Sequence, residues 1–421
     1  MKKVSILGLG YVGFPLACAI AKNKNYDVYG FDVSCEKVDL INKQISPIDD
    51  AQAEKDIKEV KITATTDFSL LNNSDIVIIT VPTPVDKLKV PDLNAVEKAT
   101  KSILPYLVKN QMIILESTVN PGVCEEVVLP ILESTGMKGG VDFDLIHCPE
   151  RIDPGNKKYN IYNIPRNVGG TSLEGTKKAG DFYRSFLDAH INEVSSLKAA
   201  EATKIIENTF RDINIAYVNE LAKSFDVLGL DIMEVINGAA NKPFGFMAHY
   251  PGCGVGGHCI PVDPYYLIER AKNGGFDHKF LRNARRINES MPLYTIERLI
   301  FALNELELPV KGTNIALLGL SYKANVGDLR DSPALVIRNK LEELGANLMV
   351  SDPYVEDTTP VEEALKKATV VIIATNHYEF IKIKDWKNVK LIVDGRNCLD
   401  MDEIKSKGIV YKGIGRGFYE S

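Results

Sequence analysis

The chain of 421 residues is poor in cysteine, histidine and tryptophan, with seven, six and one. No two cysteines form a C-x-x-C pair and their number is odd. A disulfide framework or a zinc site of that pattern is therefore not expected, and free thiols in a reducing compartment are. No two histidines stand at a metal-ligand spacing, so no catalytic metal is expected. Basic residues are not in excess: 50 Lys and Arg stand against 56 Asp and Glu, a net charge of −6. That balance excludes a polyanion groove. Lys157-Lys158 and Arg285-Arg286 are then solvated faces or local phosphate contacts. No apolar run reaches the roughly 20 residues that span a bilayer. Lys2-Lys3, an apolar run and Ala17-Cys18-Ala19 imitate a signal peptide, but three glycines at fixed spacing inside that run suit a nucleotide loop better. The expectation is a soluble, cytoplasmic protein with neither nucleic-acid nor membrane partners.

What is present is α/β alternation, over a length that exceeds one core. Val4-Ser5-Ile6-Leu7 reads as a buried strand, Gly8-Leu9-Gly10-Tyr11-Val12-Gly13 follows at once, and Phe14 to Lys22 is helical. Val28 to Phe31 is the next strand, and Asp32 closes it 19 residues after Gly13. In this context G-x-G-x-x-G is a dinucleotide fingerprint. Gly8 permits the tight turn, Gly10 lets a pyrophosphate approach the backbone, and Gly13 lets helix and strand pack closely. The helix start offers unpaired N–H groups to phosphate. Asp32 would accept from the ribose hydroxyls and repel a 2′-phosphate, which favours NAD over NADP.

Three further strands are expected: Asp75–Ile79, Met112–Leu115 and Asp144–His147. They run into Thr80-Val81-Pro82-Thr83-Pro84, Glu116-Ser117-Thr118 and Cys148-Pro149-Glu150-Arg151. Open parallel sheets bind ligands at the carboxyl ends of their strands. Thr83, Thr118 and Glu150 therefore point to one crevice, the alternative being caps and turn contacts.

Ala199 to Leu228 is one long helix, a central spine or dimer interface. Glu201, Lys204, Asn208 and Arg211 share one side of it. A solvated polar face is the ordinary reading, although Asn has poor propensity inside a helix, which points to a contact for Asn208. The glycine-rich stretch Gly252-Cys253-Gly254-Val255-Gly256-Gly257-His258-Cys259-Ile260-Pro261-Val262-Asp263 brings backbone close to something bulky. It ends in a cysteine with an acid four residues on. Cys259 is a candidate nucleophile and Asp263 a candidate base; the alternative is a packing cysteine in a tight turn.

Arg282 to Arg298 is helical. Asn314 to Lys323 then opens a second α/β unit that echoes the first, with Gly319-Leu320-Ser321-Tyr322-Lys323 where the first has Gly8-Leu9-Gly10-Tyr11-Val12. Asp352, after Asn347–Ser351, echoes Asp32, and Thr369–Thr375 echoes the strand before Thr80. A lysine at that turn suits an anion. Ser332-Pro333 reads as an N-cap and first helical position. The fold class expected is α/β, two Rossmann-like parallel-sheet domains joined by a long central helix.

Together, Gly8 to Gly13, Val81 to Pro84, Glu116 to Thr118, Pro149-Glu150, Lys204 with Asn208, Gly256 to Asp263 and Gly319 to Lys323 resemble the UDP-glucose/GDP-mannose dehydrogenase family over nearly the whole chain. The resemblance implies an NAD-dependent, four-electron oxidation of the C6 alcohol of a nucleotide sugar to a carboxylate, whose products feed polysaccharide assembly. It implies Cys259 as covalent nucleophile, Lys204 and Asn208 as oxyanion donors, and Asp263 with Thr118 and Glu150 around the hydrolytic water. Gly8, Gly10, Tyr11, Val12, Gly13, Asp32, Thr83 and Thr118 would hold NAD. Glu150, Arg151, Lys204, Asn208, Arg211, Gly256, Gly257, Tyr322 and Lys323 would hold the UDP-sugar, Arg151 and Arg211 toward its acetamido or pyranose oxygens. Arg330 and Arg396 also sit in matching motifs.

Pro149-Glu150-Arg151-Ile152-Asp153-Pro154-Gly155-Asn156 and Lys242-Pro243-Phe244-Gly245-Phe246-Met247 look most like the UDP-N-acetylglucosamine 6-dehydrogenase branch, with the N-acetylmannosamine, N-acetylgalactosamine and glucose enzymes as alternatives. Some relatives carry, before the glycine loop, an arginine that crosses to the neighbouring subunit; Lys242 to Tyr250 contains none. The implied domains are 1–195 for NAD, 196–300 helical and dimerising, and 301–421 for the UDP-sugar, in a homodimer through the central helix. Two readings compete: a two-electron hydroxyacid or sugar-phosphate dehydrogenase, and a catalytically silent nucleotide-sugar-binding protein.

Overall fold

The computed structural model describes every residue except 87, 88, 153–155, 157 and 418–421. Asp153, Pro154, Gly155 and Lys157 thus lie outside the described residues. The chain forms two compact units, residues 1–207 with 265–276 and residues 208–264 with 277–421.

The first unit holds an eight-stranded sheet. Its strands are β1 (Lys2–Leu7), β2 (Tyr26–Phe31), β3 (Thr63–Thr65), β4 (Ile76–Ile79), β5 (Met112–Leu115), β6 (Asp144–His147), β7 (Arg166–Gly170) and β8 (Ile191–Glu193). Their order is β3-β2-β1-β4-β5-β6-β7-β8. All neighbours pair in parallel except β6 and β7, so the sheet is mixed rather than parallel throughout. Side chains alternate between its faces. Ile76, Ile78, Met112 and Ile114 pack on one side. Val77, Ile79, Ile113 and Leu115 pack on the other. Both faces are covered, which is why these strands read as unbroken apolar runs. The strand order reverses between β1 and β4, and a doubly wound sheet opens its ligand crevice at such a point.

The second unit repeats the plan with five parallel strands: β9 (Asn314–Leu318), β10 (Asn347–Ser351), β11 (Val370–Ile373), β12 (Leu391–Asp394) and β13 (Val410–Gly413), ordered β10-β9-β11-β12-β13. Ile315, Leu317, Val370 and Ile372 face one core. Ala316, Leu318, Val371 and Ile373 face the other. The following helix starts as the sequence predicts, with Ser332 as N-cap and Pro333 first.

The long helix spans Leu197–Leu228. The helix expected over 282–298 is longer, Lys279–Glu305, and runs through Pro292. It continues past the charged stretch because Leu299, Ala302 and Leu303 are buried.

Gly13 opens the first helix, and a Cβ there would lie 1.9 Å from the Gly8 carbonyl oxygen and 2.3 Å from Thr80 Oγ1. Backbone cannot yield cheaply, so Gly13→Ala is expected to cost about 1–3 kcal/mol of stability. A urea midpoint equal to wild type would contradict this packing.

Candidate active site

In the first unit the turn after β1 is pinned by Gly8 N–H donating to the Phe31 carbonyl (2.7 Å). Gly8 adopts φ +99°, and a Cβ there would meet the Thr80 carbonyl oxygen at 2.9 Å. A Cβ on Gly10 would meet nothing within 4 Å, so this backbone faces open space. The helix Gly13–Ala21 starts without a side-chain cap; Phe14 N–H donates to the Gly10 carbonyl (3.1 Å) and Pro15 carries no N–H, so the N–H groups this end offers a phosphate precede Phe14. Asp32 accepts from Leu9 N–H at 2.8 Å and Ser34 N–H at 2.9 Å, one on each oxygen. A carboxylate has about four acceptor positions, so both oxygens keep capacity for ribose hydroxyls. Open backbone, uncapped helix and terminal aspartate fit a dinucleotide. Tyr11 is exposed and Val12 half-buried beside this turn.

Thr83 Oγ1 donates to the Thr118 carbonyl (2.7 Å), which ties the loop after β4 to the loop after β5. Glu150 follows β6 and is almost fully buried. One of its oxygens accepts from the amides of Arg151 (2.6 Å) and Ile152 (2.8 Å). The other pairs with Arg166, which is fully buried and also binds Glu116 at 3.0 Å. Tyr183 donates to Glu116 as well. Arg151 spends donors on Glu207 at 3.0 Å (Nε) and 2.5 Å (Nη2), and on the Pro165 carbonyl at 2.9 Å. By the five-donor inventory of a guanidinium, two remain. Arg166 and Tyr183 were not singled out in the sequence; the available signal was an arginine opening the short strand Arg166–Gly170.

The polar stripe of the long helix is not a solvated face. Glu201 is buried and accepts from Gly122 N–H (2.5 Å) and Cys124 N–H (2.8 Å). Asn208 is buried, Lys204 half-buried, and only Arg211 exposed. Cys124, His147 and Glu201 come within 4.8 Å of one another, all buried. Both Glu201 oxygens already serve backbone amides, so this trio reads as the capping of a buried turn. Desolvation pushes the Cys124 thiol up and His147 down to about 3, which keeps both neutral.

In the second unit Asn208 Nδ2 donates to Asp263 (2.5 Å). Asp263 N–H in turn donates to the Cys259 carbonyl (2.8 Å). The four-residue spacing is thus one turn leading into the helix Asp263–Asn273. The structure separates the two cysteines of the loop. Cys253 is fully buried, donates to the Ala374 carbonyl (3.3 Å) and has its thiol pushed up by burial. Cys259 is half-buried. Gly256 and Gly257 press on Tyr322, where a Cβ would fall 2.5 Å and 2.8 Å from its side chain. Gly257 has φ +89° and donates to the Arg330 carbonyl (2.9 Å). Arg330 is chelated by Asp328, which raises its pKa first, with smaller contributions from Tyr322 and Cys259. Arg396 Nε donates to the Ala374 carbonyl (2.8 Å) and Nη1 reaches the Gly254 carbonyl (3.4 Å). Lys323 is half-buried on the loop after β9.

Three family models cover the chain: the NAD-binding domain over residues 2–187, the central domain over 198–290 and the UDP-binding domain over 316–401 of the UDP-glucose/GDP-mannose dehydrogenase family. The chain belongs to that family. It is therefore an NAD-dependent dehydrogenase, and the glycine turn and Asp32 lie within the stretch matched by the NAD-binding domain. The UDP-N-acetyl-D-mannosamine dehydrogenase of Pyrococcus horikoshii is 37% identical, covering 99% of both chains. The UDP-N-acetyl-D-glucosamine 6-dehydrogenase of Pseudomonas aeruginosa is 38% identical over 90% of this chain and 91% of its own. Among solved structures, the P. horikoshii UDP-D-ManNAc dehydrogenase aligns with TM-score 0.93 at 35% identity, over 99% of this chain and 100% of its own.

Burial raises the Glu116 carboxyl from 4.5 to about 7, against the pull of the Arg166 cation. The folded chain keeps this proton where the unfolded chain has lost it, so the contribution is full below 4.5 and fades as pH rises through about 7. Urea melts should show wild type losing stability relative to Glu116→Gln as pH rises between about 5 and 7. Parallel pH profiles would contradict the assignment.

Proposed function

We propose that this chain oxidises the C6 hydroxyl of a UDP-N-acetylhexosamine to the uronate, through a covalent adduct on Cys259. The supporting observation is the half-buried Cys259 at the end of the glycine loop, one turn before Asp263, whose carboxylate Asn208 holds. Bound NAD supplies a hydride acceptor, once for each oxidation. When the alcohol has lost a hydride and a proton, the Cys259 sulfur adds to the aldehyde and forms a thiohemiacetal. Loss of a second hydride, together with the hydroxyl proton, leaves a thioester. Water cleaves it, freeing the carboxylate and the thiol. Lys204 and the second Asn208 N–H stabilise the oxyanion formed when sulfur or water adds, worth about 3–4 kcal/mol per donor. Asp263 takes the proton of the attacking water, and Thr118 and Glu150 orient that water. Glu150 already has three of its acceptor positions filled, which suits a fixed anion better than a mobile base.

Gly256, Gly257, Tyr322 and Lys323 are assigned to the UDP-sugar, with Arg151 and Arg211 toward its ring substituents. The N-acetylglucosamine epimer is our reading, on the motifs around Pro149 and Lys242. The N-acetylmannosamine epimer is the second reading, favoured by the P. horikoshii relative of full coverage. The domain limits 1–195, 196–300 and 301–421 belong to the same proposal. So does a homodimer through the long helix, where Ile206, Phe210 and Tyr217 lie exposed at helical spacing. We assign a cytoplasmic setting, where thiols stay reduced.

Cys259→Ser is expected to abolish uronate formation while UDP-sugar and NAD still bind; normal product yield would remove the covalent mechanism. Across UDP-N-acetylglucosamine, UDP-N-acetylmannosamine, UDP-N-acetylgalactosamine and UDP-glucose, kcat/KM should be highest with the first. A maximum with the second would transfer the assignment to that epimer.

A further inference from the structure

The two sheets end their second strands on the same fixture. After β2, Asp32 accepts from the amides of Leu9 and Ser34; after β10, Asp352 accepts from those of Leu320 (2.8 Å) and Tyr354 (2.9 Å). From there they diverge. Oδ2 of Asp352 also takes Ser321 N–H (2.9 Å), Ser321 Oγ (2.9 Å) and His377 Nε2 (3.1 Å). Both side chains of the aspartate–histidine pair are fully buried. The protein's own serine and imidazole occupy the acceptor positions that stay available on Asp32.

The imidazole has a second job. Its Nδ1 accepts from Asn325 N–H (2.8 Å), so the proton resides on Nε2 and points at Asp352. Asn325 adopts φ +62°, and its side-chain oxygen accepts from Tyr378 N–H (3.0 Å). Tyr354 stacks on the His377 ring at 4.9 Å and 28°. Thr375 Oγ1 donates to the Ser321 carbonyl (2.5 Å). The loop from 319 to 328 is thus held at its start by Asp352 and at its middle by His377. Tyr322 and Lys323 lie between those two anchors. Tyr322 is also the wall against which Gly256 and Gly257 pack.

We propose that His377 is a positioning residue for the UDP-sugar: through its bonds to Asp352 and Asn325 it fixes the loop that presents Tyr322 and Lys323. This rests on the reading that those two residues contact the substrate. Steady-state kinetics of the full chain test it. His377→Ala leaves a buried carboxylate and a backbone amide short of a partner, and KM for the UDP-sugar should rise at least roughly tenfold. KM for NAD, and kcat at saturating sugar, should stay within about threefold, because the NAD turn lies in the other sheet. His377→Gln, whose amide both donates and accepts, should restore most of the sugar KM. If His377→Ala does not fold, Asn325→Gly takes its place, since it keeps the amide and the positive φ but removes the tie to Tyr378; its sugar KM should rise too. Lys323→Ala separates the two readings. If it leaves the sugar KM unchanged, the substrate assignment of the loop fails. If it raises KM while folded His377→Ala, or its substitute, does not, the positioning role is overturned. Equal rises of both KM values with no rescue by Gln would mean a general structural role and also overturn it.

Discussion

A carboxylate that grips a glycine turn is the interaction on which both halves of the molecule depend. The turn after the first strand must bend with a glycine at positive φ, and it stays bent because an aspartate from the neighbouring strand accepts the next amide. Asp32 does this for Gly8 and Leu9; Asp352 does it for Gly319 and Leu320. In the first sheet the carboxylate keeps acceptor positions for a ribose. In the second, Ser321 and His377 consume them, and the turn becomes a rigid mount for Tyr322 and Lys323. In our reading, one backbone solution thus serves a dinucleotide in one place and a nucleotide sugar in the other.

The buried Glu116–Arg166–Glu150 group is a second constraint of the first sheet. Removing one partner of a buried ion pair strands the other charge, at about 3–5 kcal/mol. Arg166 faces two carboxylates, so the position of Glu150 is set by a residue opening β7. The antiparallel pairing of β7 with β6 accompanies this contact.

Much of this was legible in the sequence because it is local. The glycine fingerprint, the apolar strands β4, β5 and β6, the long helix and the Ser332 cap each declare themselves within a few residues. What was not legible depends on partners far along the chain. The stripe through Glu201 looked solvated because its partners, the amides of Gly122 and Cys124, lie 79 and 77 residues away. Arg166 and His377 carried no motif of their own, and the direction of β7 has no local signal. In the sequence Cys259 differs from Cys253 by the acid four residues on and by lying in the motif that matches the family; burial supplies the physical difference between the two.

The claim on which the account turns is that one thiol carries the sugar through two oxidations. The most direct test is the amount of NADH formed per UDP-sugar consumed, measured to completion with the preferred substrate. Two NADH per sugar, with uronate as product, is the expected result. One NADH per sugar, with the aldehyde released, would contradict it and leave Cys259 without a covalent role.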